Sequence, residues 1–496
     1  MSASPPPEAD THADVSVALR NAVKLGFSLM ATWAVALGVR FILPRHLGPA
    51  AFGVYATAES VAGMAFVFAG LGLDTYIQRE VSVRPEHAND FFGGVLLVRL
   101  LLMPVLILGA VLFAGRTHPE AAVLWAVVIF GITQGLVVTN ASLAALLQAS
   151  TKVSKLAVAN VITKLVWGVG IVVVVQFTKF YPLLALPLFA GEVMKSAMLW
   201  PSVRKEVRLQ LRFDRTQTRV VLALCVPFFV NTISYTMGNK LDVSLLASLS
   251  SDEEVGFYSA AQNIASLAML LAPLEAWVIT PLLTRAVKRS EDEFFGILRR
   301  AVEGILIVAV PATMMISLGA DFWMKIAVGP KYAPGAPSLA QLAPSFVFTY
   351  AAVLLATALI ILGRSWTVTV ISLVRLALQP ILMMVVVPYG FRNWGEGGAG
   401  MADALVFTVL EFFAAAMFLM ALGKRSFDRR LLFTVFKSIV AFAAAVATHR
   451  LLASIGPWRL IADAVVYTVV ILGTRGVAVG DIKWVLSMVR RRKSGA

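Results

Sequence analysis

Six basic side chains of this 496-residue chain fall inside long apolar segments, where a buried charge needs a partner. They are Arg99, Lys164, Lys195, Lys240, Arg375 and Lys437, and Arg40 lies near the end of another segment. Arginine binds phosphate through a planar fork, and lysine binds it as a point charge. We therefore expect an anion-binding site built from a subset of these residues, namely Arg375, Lys240, Arg99, Lys164 and Arg40.

Depth within the segments ranks these candidates. At the rise per residue of a helix, Lys240 and Arg375 lie roughly 14 Å from their nearer segment ends, deeper than the others. Lys437 lies roughly 9 Å from an end and can extend its amine to the surface. For Arg99, Lys164 and Arg40, reaching the surface or pairing internally stays an alternative. Lys195 follows Glu192 by three residues, which favours an ion pair on one helical face.

Acidic side chains also lie in the apolar segments, and intramembrane acids are functional candidates by default. They are Glu59, Asp242, Glu275, Glu303, Asp403, Glu411 and Asp463. We predict that Asp242, Glu275, Asp403 and Glu411 are candidates for binding a coupling ion, Na⁺ or H⁺. The alternative is that they neutralise the buried cations or pair between helices.

The segments that carry these charges predict an all-α polytopic membrane protein. The chain is 59% hydrophobic and 14% charged, and a soluble domain carries about a quarter charged residues. Its apolar runs are about twenty residues long, and without water only helices satisfy their backbone groups. About fourteen runs are predicted, at 22–43, 54–73, 91–115, 121–147, 156–177, 181–201, 220–249, 256–284, 298–320, 337–362, 366–389, 400–422, 431–452 and 458–475.

The positive charge predicts the orientation of these helices. Loops on the side of the N-terminus hold 28 Lys and Arg residues and loops on the opposite side hold 9, which places both termini in the cytoplasm. The net charge of +15 is therefore read as topology and contact with anionic lipid, not as nucleic-acid binding. A single cysteine, Cys225, excludes a disulfide within the chain, and no histidine spacing suggests a metal site.

An internal repeat predicts the domain organisation. GVYATAES at 53–60 and GFYSAAQN at 256–263 open the second and eighth predicted helices, which indicates two six-helix lobes of the same orientation. The lobes are related by a pseudo-two-fold axis along the membrane normal. The predicted parts are a disordered cytoplasmic tail (1–21), the lobes (22–201 and 220–422), a cytoplasmic amphipathic linker (202–219), two further helices (423–475) and a basic cytoplasmic tail (476–496).

At these motifs the sequence resembles a known family. RHLGPAAFGVYATAES (45–60) and NKLDVSLLASLSSDEEVGFYSAAQNIASL (239–267) are similar to the two half-signatures of polysaccharide transporters in the multidrug/oligosaccharidyl-lipid/polysaccharide exporter superfamily. Weaker similarity continues through TPLLTRA (280–286), FWMKIAVGPKYAPGAPSLAQLA (322–343) and PYGFRNWGEGGAGMADAL (388–405). The similarity spans nearly the whole chain.

The resemblance implies a transporter and not an enzyme. It implies two lobes around a cationic cavity and transfer of undecaprenyl-diphosphate-linked oligosaccharide from the inner to the outer leaflet of the bacterial cytoplasmic membrane. It implies a role in making O-antigen, lipopolysaccharide or exopolysaccharide, with membrane lipids, and with a polymerase and glycosyltransferases, as partners. No cofactor is expected apart from a coupling Na⁺ or H⁺.

Other functions are weighed against this one. An ion-coupled drug or cation antiporter of the same superfamily predicts an acid-lined cavity, and a peptidoglycan-precursor flippase is a further alternative. A membrane-embedded sugar polymerase or ligase needs a large outer loop for its catalytic residues, and the outer loops here are short. The Gly-rich loop WGEGGAG (394–400) lacks the strand and the Lys-Ser/Thr end of a phosphate-binding loop, so we predict a helix-connecting turn.

Overall fold

Long helices dominate the computed structural model, which describes residues 32–82, 84–150, 154–271 and 279–474. The predicted tails, Glu275 and the first ten residues of the predicted helix 22–43 lie outside these residues. No strand occurs in the described part of the chain. Within the described residues the long helices, which we number α1 to α14, are 32–47, Pro49–Phe66, Ala88–Ala114, Ala121–Ala149, Ser154–Phe177, Tyr181–Glu206, Arg215–Leu249, Asp252–Ala265, Glu291–Leu318, Ala336–Ile361, Ser365–Asn393, Gly398–Leu422, Arg429–Leu451 and Arg459–Gly473.

Eleven helices of the described residues are long and apolar enough to cross a membrane. They confirm a polytopic all-α membrane protein, although the number of fourteen spans is not fixed by them. The other three predicted spans correspond to α1, α7 and α8. Many apolar side chains on these helices face outward, among them Leu101, Leu112 and Met420 with 63–67% of their surface exposed. Such faces are stable only where lipid replaces water.

The chain divides into two compact units. The first comprises residues 1–47 and 54–241, and the second comprises 48–53 and 242–496. The division falls inside α7, after Leu241, and the short segment 48–53 belongs to the second unit. The predicted lobes, linker and tails stay predictions, because the units follow packing and not the repeat boundaries.

In the first unit, α4 packs against α6 and α3, and α6 packs against α5. The second helix ends earlier than the predicted 54–73. It changes to a 3₁₀ turn at Val67–Gly70, and Leu71 and Gly72 then have φ values of 55° and 66°. Positive φ stops a right-handed helix, so the second predicted span is interrupted near its end. Leu73, Phe91 and Leu146 lie in the apolar core beside this break.

In the second unit, α12 packs between α10 and α11, and α8 packs against α10. The predicted helix 256–284 is also not one continuous α-helix, because α8 changes to a 3₁₀ segment at Ser266–Leu271; a further helix spans Thr280–Val287. The last two helices, α13 and α14, pack together and against α9 around Met314, Ala445 and Tyr467.

Candidate functional site

Charged side chains from four helices converge inside the first unit, and we call them the first-unit cluster: Arg40, Glu59, Lys164, Glu192 and Lys195. Lys164 on α5 lies close enough to interact electrostatically with each of the other four. Arg40 is exposed, whereas Glu59, Lys164 and Lys195 are half-buried. With three cations and two acids, the cluster carries excess positive charge. Two predicted anion-binding residues, Arg40 and Lys164, therefore meet here.

The Lys164 amine is held by an aromatic ring. Its Nζ lies 4.7 Å from the centre of the Trp167 ring, one helical turn along α5. A cation over an indole face is stabilised, but the ring neutralises none of its charge. In the described part of the chain Lys164 forms no ion pair with a carboxylate. Glu192 and Glu59 act on its charge through space without forming an ion pair with it.

The predicted ion pair between Glu192 and Lys195 is wrong for this structure. The Glu192 carboxylate accepts a hydrogen bond of 2.9 Å from the Asn140 Nδ2 of α4, and its backbone carbonyl accepts another from the same amide. No ion pair joins Lys195 to a described carboxylate. The i, i+3 spacing allowed the pair, but a buried amide on a neighbouring helix holds the acid elsewhere.

Lys240 lies in the first unit as well, on α7. Its backbone carbonyl accepts a 2.8 Å hydrogen bond from the Ser60 hydroxyl. Its half-buried side chain crosses α2 at Gly63, where a Cβ atom would lie 3.4 Å from Cε. Because Gly63 has no side chain, the aliphatic part of Lys240 can pass close to the backbone of α2.

Arg99 serves the interrupted second helix instead of the cluster. Its guanidinium is 6% exposed and donates to the carbonyls of Ala69, at 2.9 Å, and Gly70, at 3.2 Å. It also donates to Ser142 Oγ at 3.0 Å, and that hydroxyl donates to the Asp74 carboxylate at 2.6 Å. Carbonyls at a helix end have no partners of their own, so Arg99 caps the break. In this conformation the N–H groups of Arg99 donate to protein acceptors, and its binding to substrate stays a prediction.

Arg375 is paired within the second unit. Its Nη2 lies 2.5 Å from Glu411 Oε1, and each side chain is 8% exposed. Its guanidinium carbon also lies 5.9 Å from the Phe407 ring centre. One predicted substrate-binding residue and one predicted coupling residue thus hold each other between α11 and α12. In this conformation the partner that Arg375 contacts is Glu411, and its binding to substrate stays a prediction.

Two predicted coupling acids, Asp242 and Asp403, come together in the second unit, where they are 0% and 1% exposed. Their charges act on each other. Asp242 Oδ2 accepts hydrogen bonds from Gln262 Nε2, at 2.8 Å, and from the Tyr258 hydroxyl, at 3.1 Å. Asp403 Oδ2 has no hydrogen-bond partner in the described part of the chain. Two neighbouring buried carboxylates are stable when they share a proton or a cation.

The Gly-rich loop at 394–400 binds a side chain of its own unit. The Glu254 carboxylate of α8 accepts hydrogen bonds from the backbone N–H groups of Gly397, at 2.5 Å, and Gly400, at 3.0 Å. Gly397 has a φ of 82°, and a Cβ atom there would collide with the Pro334 carbonyl. The loop is therefore the helix-connecting turn that was predicted, with an acid at the start of α12. No group of three metal-binding side chains occurs among the described residues.

Comparison with known families decides the identity of the chain. The family model described as polysaccharide biosynthesis protein matches residues 18–287, more than half of the sequence. The chain belongs to the polysaccharide biosynthesis protein family. A search of curated proteins gives no significant sequence match.

Solved structures show the fold of this family member. It is similar to an inward-closed structure of the lipid II flippase MurJ, with a TM-score of 0.69 and 12% identity, over 92% of this chain and 98% of that one. It is also similar to an inward-facing multidrug resistance MATE family transporter of the MOP superfamily, with a TM-score of 0.65 and 14% identity, over 82% and 98%. The family model thus supports the family resemblance seen in the sequence, and the solved structures confirm the predicted all-α membrane-protein fold.

Sequence reasoning missed the uncharged members of both sites in this polysaccharide biosynthesis family member. Trp167 under Lys164, Asn140 on Glu192, and the Tyr258 and Gln262 donors to Asp242 were not predicted. A signal existed for the last two, because both lie in GFYSAAQN, the motif used only to detect the repeat. Asn140 had a weaker signal, an amide in the middle of an apolar run.

Proposed function

We propose that this protein moves undecaprenyl-diphosphate-linked oligosaccharide from the inner to the outer leaflet of the bacterial cytoplasmic membrane by alternating access. The observation that carries the proposal is the first-unit cluster, in which Arg40, Lys164 and Lys195 outnumber Glu59 and Glu192. A diphosphate cannot enter hydrocarbon without cationic partners. Lys164 forms no ion pair with a carboxylate among the described residues and is the primary phosphate ligand in this proposal.

The test neutralises the cluster without changing its size. The double variant Arg40→Gln and Lys164→Gln is expected to abolish export of surface polysaccharide in a strain that lacks its own flippase. Lys164→Arg keeps the charge and should retain export, and Lys179→Gln, which removes an exposed lysine beyond the end of α5, is the matched control. Immunoblots of membranes establish equal protein levels. Normal export by the double variant would contradict the proposal.

We further propose that Asp242 and Asp403 bind the coupling ion, H⁺ or Na⁺. The buried Asp403 oxygen without a hydrogen-bond partner among the described residues supports this role. Asp403→Asn is expected to remove the dependence of transport in proteoliposomes on a Na⁺ or pH gradient. Asp321→Asn, at an exposed acid of the same unit, is the control. Unchanged gradient dependence in Asp403→Asn would exclude the pair.

The alternatives differ in cargo. A drug or cation antiporter would use the acidic pair of the second unit as its substrate site, and it would change the resistance of cells to cationic drugs. A peptidoglycan-precursor flippase would rescue cells depleted of their own. We expect neither result, and we expect lipid-linked oligosaccharide to accumulate on the inner leaflet of a deletion strain. In this proposal both termini lie in the cytoplasm, near the polymerase and glycosyltransferase partners.

A further inference from the structure

The connection between α6 and α7 is a non-helical segment fixed to the first unit, and it begins at Arg208 with a φ of 55°. Residues 208–214 are not helical, so the amphipathy predicted for 202–219 does not come from a helix. Leu209 is 5% exposed in the apolar core, and the backbone N–H of Gln210 donates to Asn89 Oδ1 at 2.7 Å. The backbone of Arg212 packs directly on Gly93, where no Cβ atom would fit. The segment therefore has a defined orientation on the start of α3.

This fixed segment presents apolar side chains away from the core. Phe213 is 65% exposed and Leu211 is 41% exposed. In an extended chain, residues two apart lie on the same side, so both follow Leu209 along one edge and leave the core progressively. Exposing the apolar surface of a phenylalanine to water costs free energy in proportion to the exposed area. Something apolar is expected to cover it.

The same segment and its flanks carry concentrated positive charge. The six basic residues are Arg204, Lys205, Arg208, Arg212, Arg215 and Arg219. Both acids between them are engaged, because Glu206 pairs with Lys155 at 3.3 Å and Asp214 accepts from the N–H groups that begin α7. None of the six forms an ion pair with a carboxylate in the part of the chain that the structure describes.

We propose that Leu211 and Phe213, with Arg208, Arg212, Arg215 and Arg219, form a surface that binds anionic phospholipid headgroups of the adjacent leaflet. The segment joins the ends of two helices of a membrane protein, so it lies within a few residues of the interface. Arginines bind the phosphates there while the two apolar side chains enter the acyl boundary. Charge complementarity and the adjacent apolar pair favour lipid over a protein partner. We name these six residues the lipid-binding surface.

A fluorescent probe tests the lipid-binding surface in the full-length protein. Cys225→Ala removes the single cysteine, and Leu211→Cys then carries a nitrobenzoxadiazole label. The protein is placed in nanodiscs of phosphatidylcholine, with or without about 30% phosphatidylglycerol, and quenching by nitroxide-labelled lipid is measured. We expect strong quenching with phosphatidylglycerol. The label at Gln210→Cys lies on the side of Arg212, with the headgroups, so a nitroxide on the acyl chain should quench it less than the label at position 211.

Charge variants separate specific binding from general attraction. Arg208→Gln with Arg212→Gln should weaken the quenching at position 211, since each arginine raises lipid partitioning by roughly fivefold. Arg285→Gln with Lys288→Gln, two exposed cations of the second unit, should leave it unchanged. Equal quenching of the labels at 210 and 211 would overturn the proposal. So would quenching at 211 that is the same with and without phosphatidylglycerol. A blue-shifted but unquenched label would instead reveal a protein partner and would also overturn it.

Discussion

The second helix of each repeat begins with the same pattern but carries a different polar side chain into its unit. Position 59 is glutamate in the first repeat, and the equivalent position 262 is glutamine in the second. The helix before each also differs, because α1 supplies the cation Arg40, which interacts electrostatically with Glu59, whereas α7 supplies the acid Asp242, which Gln262 binds. One backbone plan thus holds opposite charges in its two copies.

In the proposed function this difference separates two chemical tasks. The first unit surrounds Lys164 with a mixed cluster of excess positive charge, which suits an anion. The second unit engages its buried cation, Arg375, with Glu411 and leaves two acids together, which suits a proton or a metal cation. Duplication supplies the scaffold, and substitution of single residues sets the sign of the charge at each site.

The interruptions of the two equivalent helices also differ, because one is capped by a charged side chain and the other by a neutral one. In the first unit a buried guanidinium, Arg99, caps the carbonyls at Ala69 and Gly70. In the second unit the Tyr350 hydroxyl donates to the carbonyl of Ala268 at 2.7 Å. A charged donor with several hydrogen bonds stabilises a break more than one neutral hydroxyl does. The first break should therefore be the more rigid.

Removing the partner of Arg375 gives the largest expected effect. Glu411→Ala leaves a buried guanidinium without its carboxylate and should lower the free energy of unfolding by about 3–5 kcal/mol. The measurement is chemical unfolding in detergent micelles. The double variant Arg375→Met and Glu411→Leu should recover most of that loss. If the double variant also transports, Arg375 has a structural role only. A double variant as unstable as Glu411→Ala would refute the ion pair between Arg375 and Glu411.

Arg99→Ala should have the next largest effect. It leaves the Ala69 and Gly70 carbonyls and the Ser142–Asp74 pair without their donor in a buried site, at a cost of about 3 kcal/mol. Unfolding under the same conditions measures it, with Arg84→Ala at an exposed arginine as control. A change no larger than the control would mean that water or other donors replace the cap.

Tyr350→Phe removes only the neutral cap of the second break and should cost about 1 kcal/mol. Hydrogen exchange of the backbone amides near Ala268 should increase, while exchange near Ala69 should not. A loss equal to that of Arg99→Ala would show that the two interruptions are equally dependent on their caps.

Lys164→Gln should change stability least. Its amine forms no ion pair among the described residues, so neutralising it loses only the contact with the Trp167 ring and should lower the free energy of unfolding by about 0.5 kcal/mol. Export of polysaccharide by the expressing strain should nevertheless fall strongly. The protein purified from that strain supplies the stability measurement. A large stability loss would place Lys164 with Arg375, as a structural charge.

Much of this protein follows from its sequence alone. Apolar length and the absence of water fix the helices, and most predicted boundaries agree with the structure to within a few residues, as at Ala121–Ala149 and Gly398–Leu422. The breaks after Phe66 and Ala265 were not predicted, because hydrophobicity continues through them and backbone torsion is not visible in composition. Sequence also named each charge of the first-unit cluster and of the Asp242–Asp403 pair, although it gave Glu192 and Lys195 as an ion pair.

Only the tertiary structure decided which charges meet. Arg99 binds carbonyls about thirty positions earlier, Arg375 binds Glu411 across two helices, and Glu192 prefers Asn140 to the nearer Lys195. Position along a helix gives depth, but the partner depends on the rotation of that helix and on its neighbours. Sequence therefore specified a membrane helix bundle with buried charge, and packing assigned each charge to a cap, an ion pair or a binding site.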